Sequence, residues 1–415
     1  MDRSSTKRGD RWSRRDLLHA GAAASVGSFG AQIGARRARG ENRMLRTPLC
    51  DLLSIEVPLL QAPMSGVVTP PLVAAVANAG GLGILPGILV PPDELRAQIR
   101  AIRALTSRPF AVNLLLHTAL LPPADPAAIP DDVIARVHRT LNRFRQRLGL
   151  PPRAERPPRA PDFVDAAFEV ILAERVPVWS IGLGRPTLEQ VERCHRQGTK
   201  VIAMAATVED ARELAASGVD VIVAQGSEAG GHRSTWTKRL TPQHAAVGTL
   251  ALVPQVVAAV NVPVVAAGGI VDGRGVVAAL ALGAVGALLG TRFIATRESG
   301  APAFYKDRLL KATSDDTVIT DVFTGMFARV IRNEFTDTFA AEAAPVLPPF
   351  AQALAASDVT AGSAAQGSGE FYALYAGQGC GGVRDLPSAA DLVRRTMMEA
   401  ASGISALSAF ARTGG

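Results

Sequence analysis

The chain reads as an α/β protein: a (β/α)8 barrel with a smaller C-terminal α+β domain and a closing helix. Three observations predict this. Eight short apolar runs recur between residue 44 and about residue 300, each closed by Gly, Pro or Asn and followed by a helical pattern. The runs are continuous rather than alternating in polarity, as strands of a parallel sheet covered by helices should be. Eight repeats in about 250 residues match the length of a closed barrel.

Taken in order, the candidate strands are residues 57–60, 82–85, 110–115, 178–181, 200–203, 221–224, 264–266 and 287–289. The helices between them include 71–79, 95–105, 188–196, 208–217 and 274–282, the last with Asp272 and Arg274 as cap and packing residues. One connection breaks the rhythm. Residues 117–161 are proline-rich around a basic helical piece at 131–148 and are too long for an ordinary strand-to-helix loop; a lid, a partner surface or a solvated insertion would each account for them. Beyond residue 300 the repeat fades. Residues 301–385 form the second domain, and 386–415 contain the closing helix at 388–411.

Residues 1–43 stand apart. They hold ten Lys/Arg against four Asp/Glu, so +6 of the net +7 lies there and the remaining chain is close to neutral. A nucleic-acid-binding protein would carry that charge on its folded body, so this class is set aside. The run Trp12-Ser13-Arg14-Arg15-Asp16-Leu17-Leu18, followed by a weakly apolar Ala/Gly stretch, resembles a twin-arginine export signal. Two destinations follow: export by that route if Met1 starts the chain, the cytoplasm if Met44 does. The longest apolar run, residues 276–290, is interrupted by Gly283 and Gly286 and falls short of the ~20 residues of a membrane span. Cys50, Cys194 and Cys380 are far apart with no CxxC pair, which excludes a disulfide scaffold and a cysteine zinc site.

Chemistry is expected at the C-terminal rim, where barrels place their sites. The seventh strand ends Ala266-Ala267-Gly268-Gly269-Ile270 and the eighth Leu289-Gly290-Thr291-Arg292. Gly269 and Gly290 have no side chain to obstruct a phosphate, and the following amides with the Thr291 hydroxyl can donate to it. After the sixth strand comes Gln225-Gly226-Ser227-Glu228-Ala229-Gly230-Gly231-His232-Arg233. His232 is the side chain best suited to proton transfer near neutrality. Glu228 is either a carboxylate orienting that imidazole or a turn residue.

Six motifs in this order carry a family resemblance: Gln61-Ala62-Pro63-Met64, Asn78-Ala79-Gly80-Gly81-Leu82-Gly83, Arg108-Pro109-Phe110-Ala111-Val112-Asn113, the run from Gln225 to Arg233, Ala266-Ala267-Gly268-Gly269-Ile270, and the ten residues from Gly290 to Ser299. The sequence resembles the nitronate monooxygenases, and more weakly so through Tyr375-Ala376-Gly377-Gln378-Gly379. The resemblance implies a barrel binding non-covalent FMN under a small second domain. It places Ala62, Pro63 and Met64 along the flavin ring, Asn113 and Gln225 in contact with it, and Gly230 approaching it through the backbone. Gly268, Gly269, Gly290 and Thr291 would hold the phosphate, and no metal is involved. The implied reaction oxidises an alkyl nitronate, or a nitroalkane after deprotonation, with O2 to a carbonyl compound and nitrite, with His232 as base or as a partner of the nitro oxygens. Two other expectations fit the same residues: an FMN-dependent NAD(P)H enoyl-thioester reductase, and a flavin-binding protein without turnover. The sequence does not fix the oligomeric state.

Overall fold

The structure, a computed structural model, describes residues 45–116, 120, 122–236 and 246–410; the twin-arginine motif lies outside them. In chain order the strands are Leu59–Gln61 (β1), Ile84–Pro86 (β2), Ala111–Leu115 (β3), Val178–Gly182 (β4), Lys200–Ala205 (β5), Val221–Gln225 (β6), Gly231–His232 (β7), Val264–Ala267 (β8), Gly286–Leu289 (β9), Thr317–Thr320 (β10) and Ala328–Ile331 (β11). Eight of them form one parallel sheet in the order β1-β9-β8-β6-β5-β4-β3-β2. The ends meet where Leu82 N–H donates to Leu59 O at 3.0 Å and Gln61 N–H donates to Leu82 O at 2.9 Å, closing the barrel. All eight predicted strands are there, displaced by a residue or two at their ends.

Side chains fill the barrel rather than leaving a pore. Leu60, Ile84, Ala111, Val178, Ile202, Val221, Val265 and Leu288 form the interior cluster, and helix Pro48–Leu53 adds Leu49, Cys50 and Leu53 where the strands begin. On the outside, strands and helices share a larger cluster that includes Val73, Val76, Ile99, Ile102, Trp179 and Val256. The closing helix, Ala389–Phe410, seats against helix Gly273–Ala281. There Gly273 N–H donates to Glu399 Oε2 at 3.0 Å. Asp272 caps the latter helix by accepting from Gly275 N–H at 3.1 Å.

The helix predicted at 131–148 is present with those bounds, Asp131–Leu148. Its buried Ile134, Val137, Leu141 and Phe144 follow the i, i+3, i+7, i+10 spacing of one helix face. That face packs against the C-terminal segment: Phe144 stacks on Phe335 at 4.9 Å, and Phe323, Phe339 and Phe371 complete the cluster. Arg145, fully buried, clamps the arrangement with bonds to Asp358 Oδ2 at 2.8 Å and Oδ1 at 3.1 Å and to Ala355 O at 2.7 Å. Helix 131–148 is thus one wall of a second core, whereas the sequence alone left its role open. The antiparallel sheet β10-β11-β7 connects that core to the barrel, because β7 belongs to the loop leaving β6.

Candidate active site

A cavity of ≈ 340 Å³ lies at the C-terminal rim of the barrel, and every site residue expected from the sequence lines it: Ala62, Pro63 and Met64 after β1, Asn113 on β3, Gln225 on β6, Gly230 and His232 from the loop after β6, Gly268 and Gly269 after β8, and Gly290 and Thr291 after β9. Barrel closure makes this possible, since strand ends far apart in sequence share one rim.

The glycine-bearing side is built for close approach. Gly268 and Gly269 take φ of 114° and 71°, which glycine adopts without strain, so the backbone can turn sharply out of β8 beside the cavity. A Cβ at Gly290 would meet nothing nearer than Ala62 Cβ at 3.4 Å and Met64 Sδ at 3.7 Å, both on the cavity wall; it would therefore project into the cavity. Gly290 caps helix Thr291–Ile294 without any side-chain acceptor. The Thr291 hydroxyl oxygen accepts from Gly377 N–H at 2.8 Å, which leaves its own proton free to donate.

His232 is held by an over-determined loop. Its carbonyl accepts from Gln225 Nε2 at 2.9 Å, and Gln225 Oε1 accepts from Ser234 N–H at 2.9 Å. Ser234 Oγ donates to Met204 O at 2.7 Å and accepts from Leu183 N–H at 2.9 Å, fastening the loop to the ends of β5 and β4. Arg233, buried, donates to Gly226 O at 2.7 Å and Gln225 O at 2.8 Å. Burial pushes the Arg233 pKa down to about 10, so it stays cationic at neutral pH. On the far side β7 pairs with β11, setting His232 opposite Ala328.

The imidazole Nε2 lies 2.9 Å from Thr324 Oγ1, and the ring tilts against Tyr375 at 5.5 Å between centroids. Enclosure by these walls lowers the His232 pKa to about 4, so the ring is neutral at pH 7 and able to accept a proton. Burial also raises the Tyr375 pKa, which keeps that phenol a neutral donor. Of the two roles open to Glu228, its contacts favour the turn: the carboxylate accepts from Thr249 N–H at 2.8 Å and Thr249 Oγ1 at 2.9 Å. Gly230 also has a role that the sequence did not reveal. A Cβ there would lie 2.5 Å from Gly377 N, so the loop after β6 and the 376–377 backbone interlock directly.

Among the lining residues that were not expected as site residues, Tyr305, Thr324, Met326, Phe350 and Tyr375 stand out. All come from the C-terminal segment, where only the run from Tyr375 to Gly379 carried a signal.

A closed barrel whose rim joins a glycine-lined turn to a half-buried imidazole defines an enzyme of the (β/α)8 class. Within that class the chain belongs to the nitronate monooxygenase family, whose profile matches residues 46–399. It is 39% identical over 355 residues to the nitronate monooxygenase of Pseudomonas aeruginosa, a match covering 84% of this chain and 97% of that one. Among solved structures it is similar to the nitroalkane oxidase of Streptomyces ansochromogenes, with a TM-score of 0.78 and 37% identity over 86% of this chain and 99% of that one. FabK from Thermotoga maritima is also similar, with a TM-score of 0.68 and 31% identity over 88% of this chain and 99% of that one. Among the described residues no helix is long and apolar enough to cross a membrane.

Proposed function

We propose that the protein oxidises alkyl nitronates, and nitroalkanes after deprotonation, with O2 to a carbonyl compound and nitrite, using non-covalent FMN. The observation that carries this reading is a neutral imidazole facing the same cavity as the glycine cradle.

The residues present fit the flavin. The space that a Cβ would fill at Gly290 admits a phosphate or the ring edge, and the wall of Ala62, Pro63 and Met64 offers an apolar bed for a planar ring. The turn at Gly268 and Gly269, with the Thr291 hydroxyl, supplies donors without a cation. Asn113, whose Nδ2 donates to Ser180 Oγ at 3.0 Å, would reach the ring with its remaining amide oxygen. Gln225 would contact it by packing, since both ends of its amide hold the His232 loop. Bound there, FMN would carry electrons from substrate to O2, chemistry beyond any side chain.

His232 acts on the proton. In the tautomer whose Nε2–H donates to Thr324 Oγ1, Nδ1 is unprotonated and can take the α-proton of a nitroalkane; in the other, with the Thr324 hydroxyl donating to Nε2, Nδ1–H can donate to the anionic nitro oxygens of a nitronate. The test is the absorbance of the flavin-loaded protein without oxygen. Addition of an alkyl nitronate should remove the oxidised flavin bands, and air should restore them with release of nitrite. Bands unchanged by nitronate but removed by NADH would overturn this reading in favour of the reductase.

A further inference from the structure

Among the described residues four arginines are buried: Arg145, Arg233, Arg292 and Arg329. Two of them are neutralised, since Arg145 pairs with Asp358 at 2.8 Å and Arg292 pairs with Asp385. Arg233 and Arg329 form no ion pair among the described residues, and every oxygen they bind is uncharged. Arg233 donates to the carbonyls of Gln225 and Gly226, and its Nε has no hydrogen-bond partner among the described residues. Arg329, which sits opposite Gly231 in the β7–β11 pair, donates from Nε to Ser227 O at 2.9 Å and from Nη1 to Thr317 Oγ1 at 3.0 Å. The two guanidiniums therefore hold three successive carbonyls of the chain leading to His232.

Holding carbonyls does not require a charge. Elsewhere in this chain buried amides do the same: Gln352 Nε2 donates to Val322 O at 2.7 Å, and Asn333 Nδ2 donates to Gly369 O and Tyr372 O, both at 2.8 Å. A buried guanidinium without a carboxylate partner carries a desolvation cost that an amide avoids. The carboxylate that both arginines sense is that of Glu228, itself engaged by Thr249. Both guanidiniums stay charged at neutral pH. One carboxylate against two guanidiniums leaves an excess of one positive charge. Gln225 and residues 228–231 line the cavity, and a Cβ at Gly268 would lie 3.1 Å from Gly226 O, the acceptor of Arg233. A single layer of backbone thus separates the excess charge from the cavity.

We propose that Arg233 and Arg329 determine the charge specificity of the site: their excess positive charge makes the cavity favour an anion over a neutral molecule of the same shape, and so a nitronate over its parent nitroalkane. The proposal rests on the nitronate reading for the identity of the substrate, but charge selection is itself a binding property. A nitroalkane and its nitronate differ by one proton and hence by one charge, so the potential in the cavity acts on that difference whatever the alkyl group. In an enclosure of low dielectric, a charge that is not cancelled nearby acts over a longer distance than it would in water. The two arginines touch backbone carbonyls and not the ligand, and they act on it through that field.

The test is equilibrium binding to the flavin-loaded protein, read as a perturbation of the flavin spectrum. Trimethylacetate and tert-nitrobutane share one skeleton, differ by one charge and have no α-proton, so neither can be turned over as a nitronate. The wild type should bind the anion more tightly. Arg329→Gln and Arg233→Gln keep a donor for the carbonyls and should each lower the ratio of anion to neutral affinity ~10-fold, the order expected of a nearby unit charge at an effective dielectric of about 20. Arg329→Lys, which keeps the charge, should retain the ratio. A merely structural role would weaken both ligands alike. A wild type that binds the neutral compound as tightly as the anion, or folded glutamine variants with an unchanged ratio, would overturn the proposal. So would a variant that loses affinity for FMN but not for riboflavin while the ratio holds, since the charge would then serve the flavin phosphate. A charge-dependent ratio in an enzyme that leaves nitronates unoxidised would keep the charge selection and overturn the reaction instead.

Discussion

Gly290→Ala separates the cofactor cradle from the fold. At this position φ is −106°, which alanine adopts freely, and the new methyl would touch only Ala62 Cβ at 3.4 Å and Met64 Sδ at 3.7 Å, ordinary contacts. The apoprotein should therefore melt at the wild-type temperature. The methyl would occupy space that a bound phosphate or ring edge needs, and forcing a group of that size into a filled site costs about 1–3 kcal/mol. Flavin affinity should fall by ~5- to ~150-fold. Fluorescence titration of FMN into apoprotein gives the dissociation constant, and melts with and without FMN give the matching loss of ligand-induced stabilisation. A contrasting control is Gly83→Ala, whose Cβ would lie 2.5 Å from Val73 O and 2.7 Å from Val73 Cα; it should lower the melting temperature whether or not FMN is present. A folded Gly290→Ala protein with unchanged FMN affinity would refute the cradle.

Four further outcomes are expected. Because the His232 pKa is depressed to about 4 from 6.5, the folded protein resists a proton that the unfolded chain accepts. The resulting destabilisation is absent above about pH 6.5, grows as pH falls and is complete below about 4, worth about 3 kcal/mol, so the stability difference between wild type and His232→Asn should vary with pH across that window. The same substitution should reduce nitroalkane turnover ~10²–10⁴-fold while affecting nitronates much less, and equal losses in steady-state assays would sink the role as base. Thr324→Val removes the Nε2 partner and should lower nitroalkane kcat/KM by ~2- to ~10-fold, with Thr324→Ser restoring it; an unaffected valine variant would show the bond to be incidental. Arg145→Met removes the bidentate partner of Asp358, which keeps Arg153 at 3.2 Å, and leaves Ala355 O without its donor; it should cost ~1–3 kcal/mol in denaturant melts. We also propose export by the twin-arginine route, for which N-terminal sequencing of protein from the native host should find a start well downstream of Arg14-Arg15 in the exported fraction.

How much was legible in the sequence varies along the chain. The barrel strands and helix 131–148 were readable because each is a local pattern: a short apolar run closed by turn residues, or one apolar face at helical spacing. His232 and the glycines of β8 and β9 were readable for a related reason. A loop that must turn sharply or admit a ligand restricts residue type at that position, as Gly268 and Gly269 show by their positive φ. By contrast, β7 has only two residues, and its partner β11 lies about a hundred positions away, so no local signal announces the pair.

The amino-acid sequence by itself determined the barrel, the order of its strands along the chain and the one face on which glycines and histidine had to meet. These follow from periodicity, turn chemistry and the common rim that closure imposes. The tertiary structure alone decided what surrounds the imidazole. Thr324 and Tyr375 reach it through the β7–β11 pairing, Phe350 lines the same cavity, and the long connection after β3 packs against Phe350. The physical reason is that burial, and with it the pKa of His232 and the apolar shape of the cavity, is a property of packing between distant segments and is written in no single stretch of chain.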